Sequence, residues 1–210
     1  MVDIVLKSIL PNYCAGCSNP IPHSFIVCER CESKMNGPLF SSSSYPHIDQ
    51  AYAFWRYETP MSEILRQYKF FGRHRISKYL AKVVFRTIYE VALDMTLPVV
   101  PVPTTTDALR RRGFDPNRLI LRHLSKMIDF TVLDALVSTG SRRQQSLLRM
   151  DERKKNVKGS FLCRKKTLPE KVILFDDVVT TGATASECAK MLKASGVVNV
   201  VLISVARSAV

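Results

Sequence analysis

Long apolar runs are missing from this 210-residue sequence. No stretch approaches the roughly 18–20 residues that a membrane-spanning helix requires, so no transmembrane segment is expected. Glycine is sparse, with eight residues beside eleven prolines, which excludes collagen-like and low-complexity material. No small-residue cleavage site follows the short apolar stretch Met1–Leu10, and a cysteine pair begins at Cys14. A secretory leader is therefore not expected, and the chain reads as cytoplasmic, where thiols stay reduced. Acidic residues are in deficit: 18 Asp+Glu stand against 31 Lys+Arg, a net charge of +13. No internal repeat is visible. What is present, 46% hydrophobic residues with 9% aromatics, suffices for a packed core and excludes a wholly disordered chain. The length suits one full-sized domain with a small appendage.

The charge excess is local. Net charge is −1 over residues 1–50, +4 over 51–98, +10 over 99–168 and 0 over 169–210. A positive surface built from the middle of the chain concentrates phosphates or nucleic acid; the plainer reading is charge that keeps the chain soluble.

Three zones divide the sequence. Residues 1–40 hold four of the six cysteines and little periodicity. Residues 41–50, opening with the run Ser41–Ser44 and Tyr45-Pro46, read as a linker. Residues 51–210 alternate between strand and helix patterns. The spacing predicts a strand over Ala51–Tyr57, helices over Met61–Phe70, Ile76–Met95 and Asp115–Ile128, and strands over Leu97–Val102 and Thr131–Val137. A short helix is expected near Met150–Lys155. Lys171–Phe175, ending in Asp176-Asp177, a helix over Thr184–Ser195 and a strand over Val197–Val205 form a βαβ unit, hence a parallel sheet. Asp115-Pro116 reads as the N-cap and first residue of its helix.

Cys14-x₂-Cys17 and Cys28-x₂-Cys31 stand ten residues apart. Two thiolates three positions apart can share one metal ion through a tight turn, and two such turns supply the four sulfur ligands that tetrahedral Zn²⁺ prefers. The alternative is a pair of redox couples. With four thiolates no other donor is needed, so the site reads as structural and His23 as a surface residue. Cys163 and Cys188 have no sequence-local base and read as small buried side chains.

Residues 172–184 read VILFDDVVTTGAT. Two carboxylates at the end of a buried strand are followed by small hydroxyl residues, a glycine and a helix start, the place where α/β folds bind ligands. Backbone N–H groups of Thr180–Thr184 can cradle a phosphate, with Gly182 allowing close approach. The carboxylates of Asp176 and Asp177 repel a phosphate and suit vicinal hydroxyls and a divalent cation. The plain alternative is an ordinary βαβ turn with an acidic pair.

This stretch resembles the signature of type I phosphoribosyltransferases, which bind 5-phosphoribosyl-1-pyrophosphate (PRPP). The resemblance implies that Asp176 and Asp177 take the ribose hydroxyls, that Thr180, Thr181, Gly182, Ala183 and Thr184 take the 5′-phosphate, and that Mg²⁺ accompanies PRPP. Further stretches resemble the ComF family, a phosphoribosyltransferase-like group with an N-terminal cysteine cluster, named for DNA uptake competence. They are Tyr68-Lys69-Phe70-Phe71-Gly72, Val100-Pro101-Val102-Pro103, Arg112-Gly113-Phe114, and the pattern Gln145, Leu148, Arg153, Asn156, Val157, Gly159, Phe161. One departure is Asp115-Pro116, where that family usually shows Asn-Gln. The implied fold is an α/β type I phosphoribosyltransferase fold, a parallel sheet flanked by helices, with a small N-terminal zinc-binding domain.

The same resemblance puts Lys69 in a pyrophosphate loop, its plain alternative being an ordinary exposed lysine. Arg112, Arg142, Arg143, Gln145 and Arg153 become contacts for pyrophosphate or DNA, with solvated charge as the alternative. Asp176, Asp177 and Lys69 are the candidates for a catalytic role. Aromatics beside basic residues, Trp55-Arg56-Tyr57 and Tyr68–Arg73, read either as core or as stacking groups for bases. Two functional readings follow. The first is a PRPP-binding protein that handles single-stranded DNA during natural transformation, with DNA-uptake machinery proteins as partners. The second is an active phosphoribosyltransferase with an unidentified acceptor, for which the sequence carries no recognition signature. It carries none for an oligomeric state either.

Overall fold

The computed structural model describes residues 11–35, 40–41, 45–139, 159–165 and 167–208. In chain order the described elements are α1 (Glu29–Ser33), β1 (Phe40–Ser41), β2 (Gln50–Arg56), α2 (Met61–Phe70), α3 (Ile76–Glu90), β3 (Val99–Pro101), α4 (Thr106–Arg112), α5 (Pro116–Leu124), β4 (Leu136–Ser138), β5 (Phe161–Cys163), β6 (Lys171–Val179), α6 (Ala183–Ala194) and β7 (Asn199–Arg207).

Five strands form one sheet in the order β1-β2-β7-β6-β3, with β2, β7, β6 and β3 mutually parallel and β1 antiparallel at the edge. Strands β6 and β7 are apolar almost throughout because helices cover both faces of the sheet. On one face α2, α3 and α5 bury Ile64, Leu65, Leu80, Val84, Ile120 and Leu124 with Ile173 and Phe175 of β6. On the other, α6 and the hairpin of β4 with β5 bury Ala185, Cys188, Leu192, Leu136 and Phe161 with Val172 and Leu174. Neighbouring residues of one strand thus serve opposite cores, as the twofold pleat demands. Among the described residues no helix is long and apolar enough to cross a membrane.

Several boundaries differ from the sequence expectations, each for a local reason. The strand bearing the acidic pair does not end at Phe175. It continues to Val179 because β7 pairs with it through Arg207, so Asp176 and Asp177 lie inside the strand. Helix α3 stops at Glu90 instead of Met95: Ala92 takes a positive φ, and Asp94 turns the chain by accepting from the Thr96 N–H at 2.9 Å. Helix α5 stops at Leu124, where the chain tightens into three-residue turns. The stretch 131–137 contributes one bridge at Val132 and then β4, instead of a continuous strand. Helix α4 was not expected; Thr105 caps it by accepting from the Ala108 N–H, and Gly113, at φ +76, closes it. Strand β5 was likewise not expected. The helix expected near 150–155 falls outside the described residues.

Candidate functional site

The carboxyl ends of the parallel strands share one edge of the sheet, and the acidic pair sits there. Because consecutive strand residues point to opposite faces, the two carboxylates meet different neighbours. Asp177, buried, faces α2: Lys69 Nζ donates to its Oδ1 at 2.8 Å. Lys69 lies in the last turn of α2, not in a loop, so the helix carboxyl terminus also favours its positive charge. Asp176, only partly exposed, is held by α5. Asn117 Nδ2 donates to Asp176 Oδ1 at 3.1 Å and to the Val102 carbonyl at 3.0 Å, and the Asp177 N–H donates to the same Oδ1 at 3.0 Å.

The Val102 contact settles which way the Asn117 amide points, since a carbonyl requires a donor. Both amide hydrogens are then used, and Asn117 Oδ1 is left buried without a partner. Asp177 Oδ2 is buried and unpartnered as well. Buried orphan acceptors are costly, and two of them beside one carboxylate pair would suit a ligand that brings donors. Burial, and then the neighbouring Asp177 charge, push the Asp176 carboxyl up to about 7, opposed by the Asn117 hydrogen bond. Of the two carboxyls, Asp176 is thus the one that holds a proton more readily.

The framework around the pair is buried and hydrogen-bonded. Tyr68, fully buried, donates its hydroxyl to the Pro116 carbonyl at 2.8 Å and packs on Phe114, with ring centroids 5.3 Å apart. Burial and the charge of Asp177 raise its phenol pKa, so it stays a donor. Asp115 caps α5 by accepting from the Arg118 N–H at 3.0 Å, as its sequence position predicts.

After β6, Thr180 is exposed, Thr181 and Thr184 are partly exposed, and Gly182 is buried at φ +71. The Ala183 N–H, the first of α6, reaches Thr181 Oγ1 at 3.4 Å, and the N-cap residue Gly182 has no side chain to offer the next donors. Tyr45 lies directly against Gly182: a Cβ there would fall on its ring. Tyr45 itself is buried, and its hydroxyl has no partner.

Arg112, in the last turn of α4, sets its guanidinium over the Phe70 ring at 5.1 Å from the centroid. Arg142, Arg143, Gln145 and Arg153 lie outside the described residues. The ends of their segment are held together by the Thr139 N–H donating to the Ser160 carbonyl at 2.9 Å. They are tied to α6 by the Gly159 N–H donating to Glu187 Oε1 at 2.8 Å. Cys188 is buried as expected, whereas Cys163 is partly exposed because β5 belongs to a two-stranded hairpin at the surface of α6.

The sulfur atoms of Cys14, Cys17, Cys28 and Cys31 all lie within 4.8 Å of one another. The N–H groups of Gly16 and Cys28 point at Cys14 Sγ, each at 3.3 Å. Such N–H groups stabilise a thiolate, and four converging sulfurs fit a tetrahedral metal ion; His23 is not among the four. This segment docks on the sheet domain. Arg73 and Arg75 donate to the carbonyls of Tyr13 and His23, at 2.7 and 2.8 Å, and Met35 and Val27 enter the same core as α2 and α3.

Sequence reasoning missed two contributors. Asn117 occupies the inward stripe 117, 120, 121, 124 of α5, and a polar residue on an apolar stripe was its signal. Tyr45 was hidden in a Ser-rich stretch, where nothing local marks a residue as buried.

No family model matches the chain. It is 27% identical over 209 residues to Competence protein F of Haemophilus influenzae, covering 93% of this chain and 90% of that protein. To DNA utilization protein YhgH of Escherichia coli it is 28% identical over 188 residues, covering 87% and 78%. To Competence protein ComFC of Streptococcus pneumoniae it is 28% identical over 155 residues, covering 74% and 67%. These relatives agree with the ComF resemblance read from the motifs. Among solved structures, the adenine phosphoribosyl transferase of Trypanosoma brucei in complex with AMP, pyrophosphate and ribose-5-phosphate is similar at a TM-score of 0.37 and 12% identity, covering 80% of this chain and 74% of that one.

Proposed function

We propose that this protein binds PRPP through a phosphoribosyltransferase-like site and takes part in handling internalised single-stranded DNA during natural transformation. The observation that carries the PRPP reading is the acidic pair with its orphan acceptors beside a helix start whose N-cap is a glycine. Hydroxyl donors or a hydrated Mg²⁺ suit the first feature, and a phosphate suits the second. The DNA reading is supported by relatives named for competence and for DNA utilization.

In this reading Asp176 and Asp177 take the ribose hydroxyls, and the residues from Thr180 to Thr184 take the 5′-phosphate. Lys69 exchanges Asp177 for the pyrophosphate when PRPP arrives. Arg112, Arg142, Arg143, Gln145 and Arg153 are further contacts for pyrophosphate or DNA. Cys14, Cys17, Cys28 and Cys31 hold a structural Zn²⁺. Residues 1–40 act as the zinc-binding unit, 41–50 as the connection and 51–210 as the ligand-binding domain of a cytoplasmic protein. The competing reading is an active transferase: Asp176, Asp177 and Lys69 would then stabilise positive charge at the ribose and negative charge on the departing pyrophosphate.

Calorimetry with Mg-PRPP tests the ribose assignment. Asp177→Asn should weaken binding at least about tenfold, the loss expected for a buried charged hydrogen-bond acceptor, while the circular-dichroism spectrum stays unchanged. Equal affinity in both proteins refutes it. Pyrophosphate release, measured with and without single-stranded DNA, separates the two functions: release identifies a transferase, and binding without release a PRPP-dependent DNA-handling protein.

A further inference from the structure

Phe70 and Phe71 close helix α2, one residue beyond the lysine that holds Asp177. Unlike Tyr68, the other aromatic of that helix, which is fully buried, they are not core: they are 64% and 57% exposed. A single exposed phenylalanine is unremarkable, but two adjacent ones, each with its own guanidinium, form a pattern. Arg112 lies over Phe70 at 5.1 Å and Arg66 over Phe71 at 4.7 Å from the ring centroids. The two arginines come from different helices, α4 and α2, so the arrangement is tertiary. Arg73 extends it: its donation to the Tyr13 carbonyl anchors the cysteine segment, whose Tyr13 ring is 43% exposed, at the same loop.

The surroundings are cationic. Arg110, Arg111 and Arg112 end α4, and Arg66, Lys69, Arg73 and Arg75 fall within ten residues of one another. Glu63 is the acidic residue of α2, and Arg66 already engages it at 2.7 Å. An apolar partner alone gains nothing from these cations, of which Lys69 and Arg66 already hold Asp177 and Glu63, and a simple phosphate ligand gains nothing from two exposed rings. A ligand with flat aromatic groups on an anionic chain matches both. A duplex hides its base faces in the stack, so exposed rings select an unpaired strand.

We propose that Phe70 and Phe71, edged by Arg112 and Arg66, are a base-stacking platform for single-stranded DNA at the mouth of the PRPP site. The platform rests on the DNA-handling reading above and deepens it: bases stack on the rings, and the arginines neutralise the backbone between them.

Fluorescence anisotropy of the full chain, purified with its metal, tests this with three probes: a labelled oligothymidylate, an abasic deoxyribose-phosphate chain of equal length, and a duplex. The variants are Phe70→Ala/Phe71→Ala and Phe70→Trp/Phe71→Trp; both positions are exposed, so the fold is not at stake. The alanine pair should lose at least about tenfold in affinity for oligothymidylate. It should bind the abasic chain as the wild type does, and the tryptophan pair should match or exceed the wild type. Arg112→Gln should flatten the salt dependence between about 50 and 200 mM by about one phosphate contact. Unchanged affinity of the alanine pair, or an equal loss on the abasic chain, overturns the platform and leaves the DNA reading standing. A wild-type protein that binds no single strand at low salt overturns the DNA reading and the platform with it.

Discussion

At the scale of single residues, the acidic pair is asymmetric, and that asymmetry has a measurable signature. Asp177 is matched by Lys69, whereas Asp176 gets only neutral donors, from Asn117 and the backbone. Burial and its charged neighbour then raise its pKa from 3.8 to about 7. A carboxyl with a raised folded-state pKa binds its proton more tightly folded than unfolded. Its favourable contribution is therefore complete below about pH 4 and is lost as pH rises through about 7. Asp176→Asn replaces the protonated acid with an amide of the same shape. Its Oδ1 can still accept from Asn117, and no ionisation remains to be penalised. Thermal melts of the ligand-free protein should show the variant gaining stability over the wild type progressively between pH 4 and 7, and no such gain below pH 4. A difference independent of pH would place the titration elsewhere. The residue code shows the pair of carboxylates but not their inequality, because that depends on Lys69, 108 residues from Asp177, pairing with one carboxylate and not the other.

Elements decide which of these residues meet. The βαβ unit that ends the chain was legible because its hydrophobic runs are continuous and its glycines punctuate them, and α2 was legible to the residue because Ile64, Leu65 and Tyr68 repeat at helical spacing. What was not legible depends on pairing or on distant packing. The extension of β6 past Phe175 comes from β7, and α4 has no buried residue to give it a periodic signal. The aromatic cluster around α2 was legible as a motif but not as a surface, since composition cannot say that Tyr68 turns inward while Phe70 and Phe71 turn out. The loop between β6 and α6 is a further case: Gly182 reads as a concession to phosphate, yet Tyr45, 137 residues earlier in the chain, also demands it. The two demands separate in a double-mutant cycle. Gly182→Ala alone should cost about 1–2 kcal/mol for the left-handed backbone, plus the clash with the ring. In a Tyr45→Ala background the clash vanishes, and the penalty should fall to the backbone term alone. Urea denaturation reads both values; the same penalty in both backgrounds would mean that the ring does not constrain the loop.

For the whole molecule, the question is whether the cysteine segment is an appendage or part of the structure that holds the ligand site. At forty residues with four clustered cysteines it is a unit too small to fold readily without its metal. The packing adds a second dependence. Met35, Val27 and Cys31 share one core with Leu65, Tyr68 and Leu80, and a Cβ on Gly16 would meet Pro60 at 2.8 Å, at the very start of α2. Arg73 and Arg75, which follow that helix, are held by carbonyls of the cysteine segment. Helix α2 is therefore clamped at both ends by the metal-binding segment, and it carries Lys69 toward Asp177 and the Phe70–Phe71 rings toward solvent. Removing the metal should loosen that clamp. Dialysis against a strong chelator should lower the midpoint of thermal unfolding by at least about 10 °C, since a chain of this size shifts by about 2–4 °C per kcal/mol. The remaining transition should stay single, and Mg-PRPP affinity should fall even at temperatures where the sheet is still folded. Stripping the protein and restoring zinc should return both. Two separate transitions with unchanged PRPP affinity would instead make the cysteine segment an independent module. In that case the positive surface of the middle of the chain, and not its junction with the N-terminal segment, would be the place to look for control of the site.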